Sequence, residues 1–499
     1  MATIVPRWEW RTFGANFGIT ETRFAELTPG KVQESDELYF LGGSGANVKV
    51  RDDLLDIKVL REVNAEGLER WEPVMKQSFP LPAADAAMVF ASLGLAAPKL
   101  IRNAYTLDQF TEEVAAPSGA LRPVRVHKRR VRYTINGCTA ELTDVRAEGR
   151  TTRTIAIEAE DAAAVSAAVT SVGLAGYFNM NYALGLLALV DGTPERFAVI
   201  DVGTNSVKLH IGERDANGSW STIVDRAELT RLGEGLEKSG KIAPEACERT
   251  ASAMVEMSSE ARRNGVRALV AVGTAGLRIA RNSAAVLDAI RARTGISIQV
   301  IPGKEEGRLA YLAATAKLRI PEGALVVFDT GGGSTQFTFG RGSRVEQQFS
   351  VDVGAVRYTE RFGLAGAVAP QLLRGALDAI AADLSRIEGH PPPDGLVALG
   401  GAVTNMAAVK HGLSRYDPNV VQGTVLDRAE IDRQIEMYRS RDAAERRSII
   451  GLQPKRAEVI LAGACIVRTV MDKLGQDSLT VSDRGLRHGV LVERFGACS

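Results

Sequence analysis

The chain has 499 residues, of which 45% are hydrophobic and 24% charged, a composition that excludes a largely disordered protein. At roughly 100–200 residues per domain, this length predicts two to four domains. The 61 Lys and Arg residues against 60 Asp and Glu give a net charge of +1. A protein that coats nucleic acid through bulk charge would be more basic, so we expect no nucleic-acid partner and only a local polyanion site.

The N-terminal residues and the apolar runs bear on cellular location. Trp8, Glu9, Trp10 and Arg11 stand where a signal peptide would need an apolar core. The longest apolar run, Ala183 to Val190, is too short to span a bilayer. The four cysteines form no CxxC pair and the five histidines no HExxH pair, so we expect neither a disulfide framework nor a zinc site. These features predict a cytoplasmic protein without a membrane partner.

The first 190 residues alternate between apolar and charged residues, which is the period of a β-strand with one charged face. Helical spacing interrupts this pattern at Ala83 to Leu95 and at Ala162 to Val172. We therefore predict an α+β domain with a largely antiparallel sheet over residues 1–190. The predicted strands include Val48 to Arg51, Asp56 to Val59, Val124 to Lys128 and Arg150 to Glu160.

After Pro194 the pattern changes. Short apolar runs end in glycine-rich turns and alternate with longer amphipathic stretches, which predicts α/β layers. The apolar runs are Phe197 to Ile200, Ala268 to Val272, Leu325 to Phe328 and Leu396 to Leu399. The helical periods occupy Pro244 to Asn264, Glu305 to Lys317, Pro370 to Ile387, Arg428 to Tyr438 and Ala457 to Leu474.

This second part contains an internal repeat. Asp201 to Ser206 (DVGTNS) lies 128 positions before Asp329 to Ser334 (DTGGGS). An alternating strand follows each turn and closes on a glycine, Gly212 in one copy and Gly340 in the other. Each copy predicts a β-hairpin, and the matching strand patterns favour duplication over chance. We expect two related subdomains that face a shared cleft.

The two turns of this repeat have the composition of phosphate-binding loops. Consecutive glycines let backbone N–H groups converge on an anion, and Ser or Thr hydroxyls add donors. Either turn alone would more often be a plain hairpin turn, but the pair, each headed by an Asp, favours phosphate binding. The candidate residues are Thr204, Asn205 and Ser206 in the first turn and Gly331, Gly332, Gly333, Ser334 and Thr335 in the second.

Charged residues near the turns are further candidates. Asp201 and Asp329 could each hold a divalent cation such as Mg²⁺, directly or through water, or could cap their own turns. Arg278 follows the Gly273–Gly276 turn and could hold a phosphate with two N–H groups, although such an arginine alone would more often lie on a helix surface. Gly400-Gly401 is a third glycine pair after a strand and a weaker signal.

Glu305 and Glu306 follow Ile301 to Lys304 at a predicted helix start. Acidic residues at this end complement the helix dipole, and this is sufficient to explain the presence of one of the two glutamates. Successive residues point about 100° apart on a helix, so we expect at most one of the two to face a cleft.

These motifs, in this order, resemble the exopolyphosphatase / guanosine pentaphosphate phosphohydrolase (Ppx/GppA) family of the actin-like superfamily, from about Phe197 to Phe495. The resemblance implies two actin-like, ribonuclease H-like α/β subdomains over residues 197–320 and 321–499, with the last helix able to return to the first. It also implies a homodimer. The motifs that carry it are Ile200–Ser206, Gly273–Arg278, Gly303–Arg308, Asp329–Thr335 and Ser482–Gly489.

The resemblance implies hydrolysis of a terminal phosphoanhydride bond with Mg²⁺ or another divalent cation. Glu306 aligns with the catalytic glutamate that deprotonates the attacking water, and Asp201 and Asp329 align with metal contacts. The family often has Glu where this chain has Gln336, and an amide can orient water but supplies no negative charge. The implied phosphate contacts are Thr204, Asn205, Ser206, Arg278 and the loop of Gly331 to Thr335.

The first 190 residues more faintly resemble the CYTH, or triphosphate-tunnel, domain, in which inward basic side chains bind phosphates and glutamates hold metal. The family's opening Glu-x-Glu-x-Lys reads Arg7-Trp8-Glu9-Trp10-Arg11 here, so one metal ligand is missing. We predict a polyphosphate-binding module rather than a second active site. The alternative is an ordinary solvated basic sheet face. The predicted binding residues are Arg11, Lys49, Arg51, Lys58, Lys128, Arg130 and Arg132.

Together these features predict an exopolyphosphatase that releases orthophosphate from the end of inorganic polyphosphate. Hydrolysis of guanosine pentaphosphate is an alternative, but no obvious guanine-reading element is present and the basic first domain suits a long polyanion. A kinase of the same superfamily is a second alternative. A third is a protein that binds polyphosphate or guanosine penta- and tetraphosphate without hydrolysis, which Gln336 motivates.

Overall fold

The computed structural model describes residues 6–496 except 44, 216, 217, 317, 319–322 and 343. The predicted domain limits at residues 1, 320, 321 and 499 lie outside these described residues. Across the described part of the chain, we find no helix that combines the length and the apolar character needed to cross a membrane.

The N-terminal part is a closed antiparallel barrel of eight strands in the order β1-β10-β9-β8-β2-β3-β4-β5, with a separate two-stranded ribbon of β6 and β7. This confirms the predicted α+β class, and a closed barrel is what the triphosphate-tunnel resemblance implied. The strands are β1 (Arg7–Gly14), β2 (Val32–Leu41), β3 (Ala46–Arg51), β4 (Leu54–Val63), β5 (Glu69–Ser78), β6 (Leu81–Pro82), β7 (Ala104–Tyr105), β8 (Arg122–Ile135), β9 (Cys138–Ala147) and β10 (Arg150–Ala159).

Helices cover the outside of the barrel and fill one end of its interior. Val126 and Lys128 of β8 are buried while His127 between them is exposed, as strand alternation requires. Tyr182 and Leu186 pack with the inward residues of β1, β2, β8 and β9, so their helix fills the apolar end of the barrel interior. The helices are α1 (Ile19–Ala25), α2 (Ala83–Ser92), α3 (Leu107–Gln109), α4 (Ala162–Ser171) and α5 (Tyr182–Val190).

The first lobe after the barrel is a sheet in the order β13-β12-β11-β14-β15, flanked by helices. Strands β13, β12 and β11 pair antiparallel, and β14 and β15 continue in parallel. The strands are β11 (Glu195–Val202), β12 (Ser206–Arg214), β13 (Trp220–Leu229), β14 (Ala268–Gly273) and β15 (Ile298–Val300). The helices are α6 (Leu236–Ser239), α7 (Pro244–Arg263), α8 (Ala275–Ile279), α9 (Ser283–Thr294) and α10 (Gly303–Thr315).

The second lobe repeats this design in the order β18-β17-β16-β19-β21-β20, so the predicted duplication is confirmed. The Asp of each hairpin lies at the same place, because Asp201 pairs with Lys208 and Asp329 pairs with Gln336. The strands are β16 (Ala324–Thr330), β17 (Thr335–Arg341), β18 (Arg344–Val351), β19 (Gly395–Leu399), β20 (Val425–Asp427) and β21 (Ser478–Val481). The helices are α11 (Ala355–Phe362), α12 (Pro370–Asp383), α13 (Gly401–Lys410), α14 (Pro418–Val421), α15 (Arg428–Arg439), α16 (Ala443–Arg446), α17 (Ile460–Lys473) and α18 (Leu486–Phe495).

The barrel and the first lobe share one apolar core. Trp10 and Ile157 of the barrel lie in the same buried cluster as Phe197 of β11 and Phe495 of α18. The rings of Phe197 and Phe495 stack with their centroids 4.6 Å apart. Helix α18 therefore crosses from β21 of the second lobe to the first lobe. A chain shortened to the two lobes would expose this apolar face to water.

Candidate active site

The two glycine turns face each other across one cleft. In both turns the same hydrogen bond closes the hairpin: Gly203 N–H donates to Ser206 O (N···O 3.0 Å) and Gly331 N–H donates to Ser334 O (N···O 2.9 Å). Nδ2 of Asn205 lies 4.0 Å from the point where a Cβ on Gly332 would stand. The sequence predicted a shared cleft, and the geometry has this form.

The predicted phosphate-binding residues differ in how far their side chains are exposed to the cleft. Thr204 and Asn205 are exposed at the cleft, and Ser206 and Ser334 are half-buried. Thr335 is fully buried, and its hydroxyl donates to Val353 O at 2.6 Å, so its side chain is not available to the cleft.

Glycine is required next to the carboxylate of the second turn. Gly400 has φ +97°, and a Cβ there would stand 2.7 Å from Oδ1 of Asp329 and 2.7 Å from Thr330 O. Side chains other than hydrogen are excluded by both the positive φ and this contact. The Gly400-Gly401 pair, a weak signal in the sequence, therefore lets helix α13 begin directly beside Asp329.

Asp201 and Asp329 have the properties of ligands for a hard divalent cation. Asp201 is buried, and its Oδ2 lies 3.4 Å from Nζ of Lys208. Its Oδ1 is buried and has no hydrogen-bond partner among the described residues. Removal from bulk water raises the pKa of Asp329, with Asp201 adding to the rise and Lys208 opposing it. Two interacting carboxylates, one with an unpartnered oxygen, fit Mg²⁺, which prefers oxygen ligands.

Glu306 lies between the two lobes. It belongs to the first turn of α10 and is buried, at 8% exposure. Oε2 accepts from Nη1 of Arg278 in the first lobe (2.9 Å), and Oε1 accepts from Nε2 of Gln336 in the second lobe (3.3 Å). Glu305 turns away and accepts from Nε of Arg308 at 2.9 Å, so only one acid of the pair faces the cleft.

Arg278 is held against α10. Its Nη1 also donates to Ile301 O at 2.9 Å, and Gly303 of α10 lies beside the guanidinium. The sequence predicted a phosphate clamp. In the structure Nη1 is committed to Glu306 and to a backbone carbonyl, which fixes the orientation of the carboxylate and leaves only the other N–H groups for a phosphate.

Arg456 is a cleft residue that the sequence did not indicate. It ends a short 3₁₀ turn (Pro454–Arg456) and lines the cleft together with Asn205, Thr330 and Gly331. Its guanidinium lies over Gly401, where a Cβ would stand 2.6 Å from Cζ. Burial lowers the pKa of Arg456, and Asp329 opposes this shift. A lone Arg after Lys455 has no motif around it, so only tertiary structure could reveal this position.

Five of the seven predicted basic residues of the barrel, Lys128 among them, are paired with acids inside it. Nζ of Lys128 is 2.9 Å from Oε2 of Glu37, and the ring centroids of Tyr182 and Tyr39 lie 3.9 and 4.7 Å from it. Burial lowers the pKa of Lys128 to about 7. Burial alone would raise the pKa of Glu37, but Lys128 and Lys49 lower it to about 2.

Four of the other predicted residues of the barrel are paired in the same way. Arg11 donates to Glu9 (2.7 Å) and to Glu141 (2.9 Å), and Nε of Arg130 is 2.9 Å from Oε2 of Glu141. Lys49 and Arg51 lie 3.6 and 3.8 Å from Glu37. Burial raises the pKa of Glu158, and Lys58 opposes this shift. Arg132 is exposed. These buried ion pairs exclude an ordinary solvated sheet face.

The duplicated sheets and the facing glycine turns, each with an Asp at its base, define a two-lobed protein of the actin-like, phosphate-binding class. Residues 210–497, more than half of the chain, match the Ppx/GppA phosphatase family. The chain belongs to this family. The barrel and the first glycine turn lie outside the matched residues.

Relatives and solved structures agree with this assignment. The chain is 28% identical over 326 residues to Exopolyphosphatase 2 of Mycobacterium tuberculosis, covering 60% of this chain and 99% of the relative. It is 28% identical over 306 residues to Exopolyphosphatase 1 of Mycobacterium leprae, covering 60% of this chain and 89% of the relative. The Aquifex aeolicus Ppx/GppA phosphatase is 33% identical with a TM-score of 0.54, covering 60% of this chain and 99% of that structure.

Proposed function

We propose that the protein is an exopolyphosphatase, which hydrolyses the terminal phosphoanhydride bond of inorganic polyphosphate and releases orthophosphate. The observation that carries the proposal is the position of Glu306 between the lobes, held by Arg278 on one side and Gln336 on the other. Membership of a phosphatase family and the exopolyphosphatases among its relatives support the same reaction.

The cleft residues have different roles in hydrolysis. The N–H groups of the two glycine turns and the guanidinium of Arg456 bind and orient the terminal phosphate. Asp201 and Asp329 would hold Mg²⁺, which neutralises phosphate charge when bound. Glu306 accepts the proton of the water that attacks the terminal phosphorus. The bond to the bridging oxygen breaks, and the shortened chain leaves with that oxygen. Positioning and charge stabilisation supply most of the rate enhancement in such reactions.

Gln336 is compatible with this role for Glu306. Its amide donates to Oε1 of Glu306 and so fixes the carboxylate that accepts the proton. A Glu at 336 would instead place a second negative charge at about this distance from Glu306 and disfavour ionisation of both. The amide is therefore a positioning group, and its presence is no reason to assign a protein that only binds.

We propose further that the barrel binds polyphosphate. The helix α5 fills the apolar end of the interior, so a phosphate chain would enter from the charged end, where Arg51 and Arg132 are accessible. Because the inward bases are paired with Glu9, Glu37 and Glu141, a polyanion has to displace these partners or arrive with cations. Within this proposal the protein acts as a homodimer in the cytoplasm.

Orthophosphate release from long-chain polyphosphate and from guanosine pentaphosphate, measured in parallel with Mg²⁺, tests the proposal. We expect faster turnover of polyphosphate. Faster turnover of the guanine nucleotide would assign the other activity of the family, and release from neither would leave a binding protein. The full chain has to be used, because the barrel and the first lobe share a core.

A further inference from the structure

Two histidines meet one carboxylate where helix α18 begins. His210 lies on β12, Asp225 on β13 and His488 on α18. Nδ1 of His210 and Nε2 of His488 each lie 3.6 Å from Oδ2 of Asp225. One ligand atom from each residue can be chosen so that all three lie within 4.8 Å of one another. The cluster shares no residue with the Asp201 and Asp329 pair.

The fold brings these residues together from distant parts of the chain. His210 and Asp225 are directly paired across β12 and β13, so their side chains lie on the same face of the sheet. His488 reaches them because the chain crosses from β21 of the second lobe to the first lobe and begins α18 there. The expectation of no zinc site rested on the spacing of residues along the sequence. Such spacing contains no information about the contact between His210, Asp225 and His488.

A ring nitrogen of His210 is available to bind an ion. His210 is 2% exposed, and its Nδ1 is buried with no hydrogen-bond partner among the described residues. Neutral imidazole is the metal-binding form of histidine. An unpartnered, buried nitrogen aimed at a carboxylate is costly unless another group satisfies it.

We propose that His210, Asp225 and His488 bind a divalent transition-metal ion of the zinc class. Two ligand atoms at about 2.1 Å from one tetrahedral ion lie about 3.4 Å apart, and the two 3.6 Å separations match this spacing. Imidazole nitrogens favour zinc-class ions over Mg²⁺, which prefers oxygen. Three protein ligands leave one position of the ion for water.

Arg487 orients the carboxylate without blocking it. Its Nε donates to Oδ1 of Asp225 at 2.9 Å and its Nη2 donates to Oδ2 at 2.7 Å. Each carboxylate oxygen has two lone pairs, so Oδ2 keeps one for the ion. The positive charge of Arg487 opposes the ion, and the nearby carboxyl of Asp483 offsets part of it when ionised. Asp483 interacts electrostatically with both Arg487 and Asp225.

Occupancy of this site is coupled to the start of α18. In the structure Gly485 N–H lies 3.3 Å from Nδ1 of His488. A neutral ring that binds metal through Nε2 carries its proton on Nδ1, so this contact has to open. The segment from Ser482 to His488 is the crossing between the lobes. The ion would therefore tie this crossing to the sheet of the first lobe.

Zinc retention by the full-length protein tests the site. The protein is dialysed against Zn²⁺ with Mg²⁺ in large excess to occupy oxygen sites, and bound zinc is measured by atomic emission. We expect the double variant His210→Gln, His488→Gln to retain one zinc ion fewer per chain than the natural protein. His127→Gln is the matched control, because His127 also contacts a carboxylate, Asp36 at 2.9 Å, but lies on the outside of the barrel.

A second measurement does not depend on the variants folding. Co²⁺ added to the natural protein should give the intense visible absorption of a four-coordinate ion, and Zn²⁺ should abolish it. Equal zinc in the natural protein and the double variant, including none in either, would overturn the proposal. So would a Co²⁺ spectrum of six-coordinate, oxygen-bound ion only. Neither result bears on phosphate release, so the proposed function is tested separately.

Discussion

Nε2 of Gln336 donates a hydrogen bond to Oε1 of Glu306 across the gap between the two lobes, at 3.3 Å. Gln336 is the strand partner of Asp329, and Glu306 is held from the other side by Arg278. The carboxylate is thus positioned by both lobes at once. Its geometry depends on how the lobes sit together, which links cleft closure to the proposed proton transfer.

Replacement of Glu306 tests the proposed base. Glu306→Gln should lower the rate of orthophosphate release by about 10²–10⁴-fold, because general base catalysis contributes about that factor. Binding of polyphosphate should persist, since the phosphate contacts remain. Glu305→Gln is the control, because Glu305 pairs with Arg308 and should leave the rate nearly unchanged. Equal rates for the natural protein and Glu306→Gln would exclude this role.

A carboxylate at position 336 should change the pH dependence of hydrolysis. Gln336→Glu places a second acid beside Oε1 of Glu306, and like charges this close raise the pKa of the pair. We expect the acid limb of the pH–rate profile to move to higher pH. Gln347→Glu on the same sheet serves as the control, since Gln347 contacts His390 instead. A profile that coincides with the natural one would show that the two side chains do not interact.

Gly400 should be essential for the close packing of the chain beside the Asp329 carboxylate. Gly400→Ala would combine a positive φ with a contact of 2.7 Å to Asp329, and we expect a loss of at least about 1–3 kcal/mol in unfolding free energy. Gly412→Ala has φ +59° but open space around it, so it measures the cost of a positive φ without a steric contact. Denaturant titration of both variants separates the cost of the positive φ from the cost of the contact with Asp329. Equal losses of unfolding free energy would show that this contact adds nothing.

The ion pair of Glu37 with Lys128 in the barrel should make the free energy of unfolding depend on pH. The pKa of Glu37 falls to about 2 in the folded state, against an ordinary value of 4.5. A lowered carboxyl pKa stabilises the fold above pH 4.5, and this stability is lost as the pH falls from 4.5 towards 2. The shift corresponds to about 3 kcal/mol.

Unfolding free energies at several pH values measure this effect. Glu37→Gln should be destabilised at pH 7, and the difference from the natural protein should shrink below pH 4.5. Glu34→Gln on the same strand, where the side chain is exposed, should show little difference at any pH. A constant difference for Glu37→Gln across this range would mean that the lowered pKa has no part in it.

The barrel should contribute to polyphosphate affinity rather than to the chemical step. Arg51→Gln removes a partly exposed base near the open end, and we expect a higher KM for long-chain polyphosphate with kcat little changed. Raised ionic strength should weaken binding in the natural protein more than in the variant. Arg129→Gln is the control, because Arg129 points outward to Glu34 and Asp144. Identical KM values for the two variants would argue against a binding role of the interior.

Much of the architecture could be predicted from the sequence because it depends on local patterns. The alternation in Val124 to Lys128 places one face inward and one outward whatever the rest of the chain does. The turns DVGTNS and DTGGGS carry their hairpin geometry in their own glycines and hydrogen bonds. Helical geometry indicated that at most one of Glu305 and Glu306 faces a cleft, and the family resemblance selected Glu306.

Contacts between distant segments could not be predicted in this way. Arg456 has no motif and becomes a cleft residue only because the turn at Pro454 lies over Gly401. The run from Lys128 to Arg132 indicates a basic surface, yet the barrel pairs its inward bases with Glu37 and Glu141 from other strands. Charge balance inside a closed sheet depends on which strands are neighbours, and strand order is not a local property.

The sequence by itself determined the duplicated glycine turns and the antiparallel character of the first 190 residues, and its resemblance to a known family singled out Glu306 over its neighbour. Only the tertiary structure decided that Gln336 holds Glu306, that α5 fills one end of the barrel and that His210 meets His488. The physical reason is that hydrogen-bond distances of about 3 Å between remote residues are set by the packing of whole elements. Periodicity and turn chemistry act within a few residues and contain no information about that packing.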